Sequence, residues 1–156
     1  MQTPQFSFQQ LKEDPTYPEL PESALHVGKR ILQEFFPLQQ GESGVLQVNV
    51  IFCDALAMES LNEQYRGQKS PTDVLSFAYG VEVEEESLPV REIGEIFLCV
   101  PYIREQATQV GNSLEQEMAF LFFHGLLHLC GFAHGQPEEK QRMFALQQRF
   151  FEEWNG

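Results

Sequence analysis

The stretch SLEQEMAFLFFHGLLHLCGFAH, Ser113 to His134, decides how the rest of the chain is read. Ser113 followed three residues later by Gln116 is a capping box, in which each side chain satisfies the other residue's backbone N–H at a helix start. The helix it opens, Leu114 to about Cys130, is the most apolar of the chain and must be buried on most of its circumference. Gly131 stops it, because glycine enters the left-handed conformation that ends helices at no steric cost. A helix apolar on nearly every side needs other layers around it, and the flanking segments have to supply them.

Working outward, Pro137 opens a last amphipathic helix whose expected apolar face is Met143, Phe144, Leu146, Phe150 and Phe151. Upstream, Glu95 to Val100 (EIFLCV) reads as a strand, and Pro101 suits the first position of a helix ending near Gly111. Val74 to Val83 reads as a strand running into a turn, with the acidic Glu82–Glu86 region as a solvated loop. Asp54 is an N-cap for a helix through Met58, Leu61 and Tyr65, broken at Gly67 and Pro71. Residues 45–52, VLQVNVIF, alternate with period two, and Ala24 to Phe36 recur at helical spacing. Residues 1–23 carry four of the nine prolines and read as an irregular lead-in or an edge strand. This order predicts an α/β sandwich of two or three layers on a small mixed sheet.

With 156 residues the chain is expected to form one domain, residues 1–156, able to bury about 68–70% of its unfolded surface without staples. Three cysteines at no regular spacing argue against a disulfide framework and for a reducing compartment. No basic leader and no run of about 18 apolar residues occur, so a soluble, cytoplasmic protein without a membrane partner is expected. Ten Lys plus Arg against 23 Asp plus Glu give a net charge of −13, which votes against phosphate-rich partners.

Three of the four histidines, His124, His128 and His134, fall within the opening stretch. At i and i+4 on a helix, His124 and His128 stack on one face about 5–6 Å apart, near enough to chelate one ion. The turn after Gly131 can bring His134 back to the same point. Two unpaired imidazoles on a buried apolar helix cost several kcal/mol unless something binds them, so a metal is favoured over satisfied core histidines. Three imidazoles plus an open position suit catalytic zinc. His26 has no partner in sequence and reads as ordinary. The spacing H-x-x-x-H-x-x-G-x-x-H is that of metzincin proteases. Those enzymes carry a glutamate base directly after the first histidine, and here that position is Gly125, which weakens a zinc-peptidase reading.

A second motif, NEQYRGQKSPTDVLSF, spans Asn62 to Phe77. Arg66 stands at a helix end beside a glycine turn, where its planar fork can hold a phosphate or simply neutralise the helix terminus. Thr72 and Asp73 read as turn chemistry. Taken together, Asn62–Phe77, the Gly94–Ile96 strand, REQA at Arg104–Ala107, HGLLHLCGFAH at His124–His134, and Glu138, Glu139 and Met143 closely resemble the YbeY family of bacterial metal-dependent endoribonucleases. The resemblance covers about two-thirds of the chain, roughly Val45 to Phe150.

It implies an α/β sandwich with a four-stranded mixed sheet beside the metal-bearing helix. It further implies one Zn²⁺ held by His124, His128 and His134, with Arg66 as the functional arginine. The implied task is single-strand RNA cleavage in maturation of the 16S ribosomal RNA 3′ end and in ribosome quality control. The expected partners are ribosomal RNA and the small ribosomal subunit, with no DNA. Two departures stand out: Ala133 replaces the aspartate the family usually has before the third histidine, and Cys99 replaces a common serine and reads as an inert apolar residue. A rival of another class is a non-catalytic ribosome assembly factor with structural zinc.

The acids, moreover, are unevenly spread. None lies between Met118 and Pro137, and Gln64 to Thr72 holds Arg66 and Lys69 with no acid. The selected surface is locally neutral to positive, so the composition argues against broad nonspecific binding of nucleic acid and permits a narrow RNA site.

Overall fold

The computed structural model describes residues 4–38, 41–79 and 90–155. Strands β1 (Gln5–Lys12), β2 (Val45–Cys53), β3 (Val74–Ala78) and β4 (Val90–Cys99) form one mixed sheet in the order β1-β2-β4-β3. β1 and β4 both pair with β2 in parallel, and β3 runs antiparallel to β4 at the sheet edge. The expected four-stranded mixed sheet is therefore present. The first residues form an edge strand and not an irregular lead-in, because Phe6 is buried while its neighbours pair along β2.

Five helices cover the sheet: α1 (Glu22–Phe35), α2 (Ala55–Arg66), α3 (Val100–Val110), α4 (Leu114–Leu129) and α5 (Pro137–Asn155). The main core joins α1, α4 and α5 to one sheet face through Phe52, Ile96, Leu98, Phe122, Phe123 and Phe150, all fully buried. On β4 the alternate residues Phe97 and Cys99 point to the opposite face, where a small cluster of Cys53, Met58, Leu75 and Cys99 lies under α2. Helices thus cover both faces. Asp54 caps α2 as its sequence predicts, accepting the Ala57 N–H at 2.8 Å.

Helix α4 seats closely on its neighbours because two of them present glycine to it. A Cβ on Gly28 of α1 would lie 2.8 Å from the Phe122 ring, and one on Gly94 of β4 would lie 2.8 Å from Leu129.

Three expectations are corrected. β4 begins at Val90, five residues before the predicted Glu95, because Arg91 is buried through an ion pair with Glu42 at 2.5 Å, a partner 49 positions away. β3 ends at Ala78, short of Val83, and the acidic Glu82–Glu86 loop lies outside the described residues. On α5, Phe144 leaves the predicted apolar face and is 58% exposed. The buried stripe runs Met143, Gln147, Phe150 at helical spacing, with a glutamine in the place where the pattern wants an apolar residue. Among the described residues no helix is long and apolar enough to cross a membrane.

Candidate metal centre and cleft

The capping box at the start of α4 forms as read: Ser113 Oγ accepts the Gln116 N–H at 3.0 Å and Gln116 Oε1 accepts the Ser113 N–H at 2.9 Å. At the other end Gly131 has φ 97°. Its N–H donates to the His128 carbonyl at 3.0 Å, and the Phe132 N–H donates to the Leu127 carbonyl at 3.1 Å. These paired bonds are a Schellman motif, which reverses the chain direction. The reversal carries His134 back beside the helix, its ring centroid 5.6 Å from His124 and 4.8 Å from His128. The three histidines offer one ligand atom each, all within 4.8 Å of one another.

The donor set fits a metal ion by an internal test. Gln147 on α5 donates its Nε2 to the Phe120 carbonyl at 2.9 Å, which fixes the amide so that Oε1 faces His124 Nδ1 at 3.2 Å. An amide oxygen only accepts, so the His124 proton sits on Nδ1 and its Nε2 is a bare lone pair. The Nε2 atoms of His124 and His128 face each other at 3.2 Å. Two ligands about 2.0–2.1 Å from one tetrahedral zinc stand roughly 3.3–3.4 Å apart, close to the 3.2 Å between these imidazoles. Burial lowers the His124 pKa, helped by the neighbouring His134. Burial, then His124 and His134, push His128 down to about 4, with the Arg66 charge adding to the effect. Both rings are neutral near pH 7, the state in which imidazole ligates.

The histidines form one wall of a cleft of about 610 Å³ whose other wall is β3 with Tyr65, Arg66 and Asp73. Arg66 is the last residue of α2 and is exposed. Gly67 ends that helix at φ 69°, and Asn62 Nδ2 holds the following turn by donating to the Ser70 carbonyl at 2.9 Å. Tyr65 lies against Phe77, ring centroids 4.7 Å apart, and Phe77 stands edge-on to Phe97 at 5.9 Å. The structure thus brings Arg66 to the same cleft as His124, His128 and His134.

Two residues of the site escaped the reading of the sequence. Asp73 makes the turn bond expected of it, accepting the Val74 N–H at 2.8 Å, yet it also lines the cleft. Its second oxygen accepts from Gln106 at 3.4 Å, and Gln106 also donates to the buried Glu117 at 3.2 Å. That gives Gln106, within the REQA motif, a bridging task. Gln147 is the other, and its signal was a polar residue sitting on the buried stripe of α5. At the departure, Ala133 is exposed, and the bond that orients His124 comes from Gln147 on α5.

Two further positions are settled by packing. A Cβ on Gly125 would meet the Ile96 side chain at 3.0–3.2 Å, so the position after the first histidine faces the sheet and leaves no room for a carboxylate base. Cys99 is buried in the cluster under α2, and burial raises its thiol pKa, in keeping with an inert residue.

A family model described as Endoribonuclease YbeY matches residues 10–155. The chain is 41% identical over 125 residues to Endoribonuclease YbeY of Geobacillus kaustophilus, covering 77% of this chain and 80% of that one. It is 36% identical over 138 residues to Endoribonuclease YbeY of Enterococcus faecalis, covering 78% and 86% respectively. Among solved structures, the solution structure of the Thermotoga maritima protein TM1509 is 30% identical, with a TM-score of 0.55 over 95% of this chain and 89% of that one.

Proposed function

From the premise that this chain belongs to the endoribonuclease YbeY family, we propose that it is a zinc-dependent, single-strand-specific endoribonuclease. Its proposed place is the cytoplasm, its task maturation of the 16S ribosomal RNA 3′ end and ribosome quality control, and its partner the small ribosomal subunit. The observation that carries the reading is two Nε2 atoms 3.2 Å apart, with a third histidine beside them, in a cleft that also holds Arg66.

His124, His128 and His134 would hold the ion, and a bound zinc supplies Lewis acidity toward a phosphoryl oxygen. This chain's own residues do the rest. Gln147 fixes the His124 tautomer and ring plane, so that the ligand atom is aimed before anything binds. Arg66, planar and permanently charged, pairs with the non-bridging oxygens of the scissile phosphate and favours the charge they gain. RNA brings its own 2′-hydroxyl, so a site whose Gly125 offers no base still has a nucleophile within the substrate. Arg66 and Lys69 make this stretch locally cationic on a chain of net charge −13.

The test is cleavage of a ribosomal RNA fragment spanning the 16S 3′ end, by purified protein before and after chelation, with elemental analysis of the same sample. The expected result is one zinc per chain and cleavage lost on chelation and restored by zinc. A 2′,3′-cyclic phosphate end identifies the 2′-hydroxyl as nucleophile, and a 5′-phosphate product replaces it with water. Full activity in a sample free of metal overturns the metal dependence, and metal-dependent turnover of peptides without RNA cleavage returns the chain to the peptidase reading.

A further inference from the structure

The histidine cluster is a wall shared by two cavities. His124 and His134 line the cleft of about 610 Å³ beside β3, and they also line a second cavity of about 460 Å³ bounded by α5. The second cavity is floored by Met143 and Phe144 and edged by Lys140 and Gln141. Each cavity therefore contains one exposed aromatic ring and one cationic side chain: Tyr65 with Arg66 on one side, Phe144 with Lys140 on the other.

Among the described residues these are the two most exposed aromatic rings, ahead of Tyr102 at 39%. Tyr65 and Phe144 are each 58% exposed, whereas Phe52, Phe122, Phe123 and Phe150 are fully buried. Phe144 lies off the buried stripe of α5, so packing gives no reason for an aromatic there. Tyr65 is held in place from behind by Phe77, itself braced by Phe97, which leaves its outer face free. A rigid ring with a free face beside a cation is what a single-stranded nucleic acid uses, stacking a base on the ring while the charge meets the backbone. The two cavities together hold Arg66 and Lys140 against one carboxylate, Asp73, which is already engaged by Val74 and Gln106.

Resting on the endoribonuclease reading, we propose that single-stranded RNA crosses the histidine cluster from one cavity to the other, with the base on one side of the scissile phosphate stacked on Tyr65 and the base on the other side stacked on Phe144. The cavity beside α5 is then a second nucleobase subsite. This gives a physical reason for single-strand specificity, since both rings are occupied only when neighbouring bases are unpaired and splayed apart.

The experiment uses the zinc-loaded full chain and a single-stranded oligoribonucleotide cleaved at one position. Tyr65→Ala and Phe144→Ala are each expected to raise KM about tenfold, the range of one lost stacking contact, with kcat within about twofold of wild type. Val110→Ala, an exposed residue on α3 outside both cavities, should change neither. An abasic nucleotide on one side of the cleaved bond should erase the penalty of one alanine variant only, and an abasic nucleotide on the other side should erase the penalty of the other. Wild-type KM in both variants, or penalties that persist on both abasic substrates, overturn the two-platform proposal while RNA cleavage itself stands. A wild-type protein that cleaves no RNA removes the endoribonuclease reading, and the platforms with it.

Discussion

The two walls of the cleft are built by opposite means. On one wall His124 and His128 ride half-buried on α4 and His134 stands exposed on the tight reversal after it, with Gln147 fixing a ring from a neighbouring helix. On the other, Arg66 stands exposed at the last turn of α2, held by its backbone turn and by no side-chain partner among the described hydrogen bonds and ion pairs. A wall that must present lone pairs at ångström tolerance is made stiff and partly dry. A wall that must meet a charged, variable polymer is left wet, so that its cation is not committed to anything else.

The sharpest way to break this contrast is to damage each wall in turn. His128→Ala should lose stoichiometric zinc and all zinc-dependent cleavage, while the chain stays folded because three ligands on one helix and its turn crosslink little of it. Arg66→Glu should keep its zinc and lower kcat by about 10²–10³-fold, the cost of losing a preorganised charge partner. Elemental analysis beside single-turnover rates separates the two. An unfolded His128→Ala protein favours the structural-zinc assembly factor, and an Arg66→Glu protein as active as wild type removes Arg66 from the mechanism.

A smaller effect comes from behind the stiff wall. Gln147→Leu keeps the shape and removes the acceptor for His124 Nδ1–H, so zinc affinity measured by chelator competition should fall about 10–100-fold with little change in kcat at saturating zinc. Unchanged affinity would mean the bond is structural only.

The smallest effect is a pH slope in the metal-free protein. His128 titrates near 4 when folded and near 6.5 when unfolded. The unfolded chain therefore takes up the proton first, and stability is full above about pH 6.5 and is lost as pH falls toward and through 4. Urea midpoints of chelated protein between pH 7.5 and 4 should decline across that window, and His128→Ala should flatten the decline. Equal slopes in the two proteins would assign the loss to other groups.

Most of what was legible in the sequence was local. The capping box at Ser113, the stop at Gly131, the N-cap at Asp54 and the histidine spacing all act within a few residues, and all stand where the sequence puts them. What escaped depends on partners far along the chain. Arg91 belongs to a strand only because Glu42 neutralises it, so β4 read five residues short. Gln147 passed without a reading because its two bonds go to Phe120 and His124, more than twenty residues away. Phe144 satisfied the amphipathic pattern and yet faces out, because the stripe it was assigned to passes through Gln147 instead. Asp73 had a sufficient local explanation, which hid its second position in the cleft.

The glycines behind α4 bear on more than packing. Gly94 and Gly125 stand where the helix meets β4, and Gly28 stands where it meets α1; a Cβ would lie 2.8 Å from a neighbour at Gly28 and Gly94 and would be tight, at 3.0 Å, at Gly125. Strand β3, the far jaw of the cleft, is hydrogen-bonded to β4. The opening between the jaws is therefore gauged from the rear, by the thickness of hydrogen atoms on residues that no substrate touches. Adding a methyl at one of these glycines would therefore press on the seating of α4, and so on the width of the cleft, from residues that do not line it.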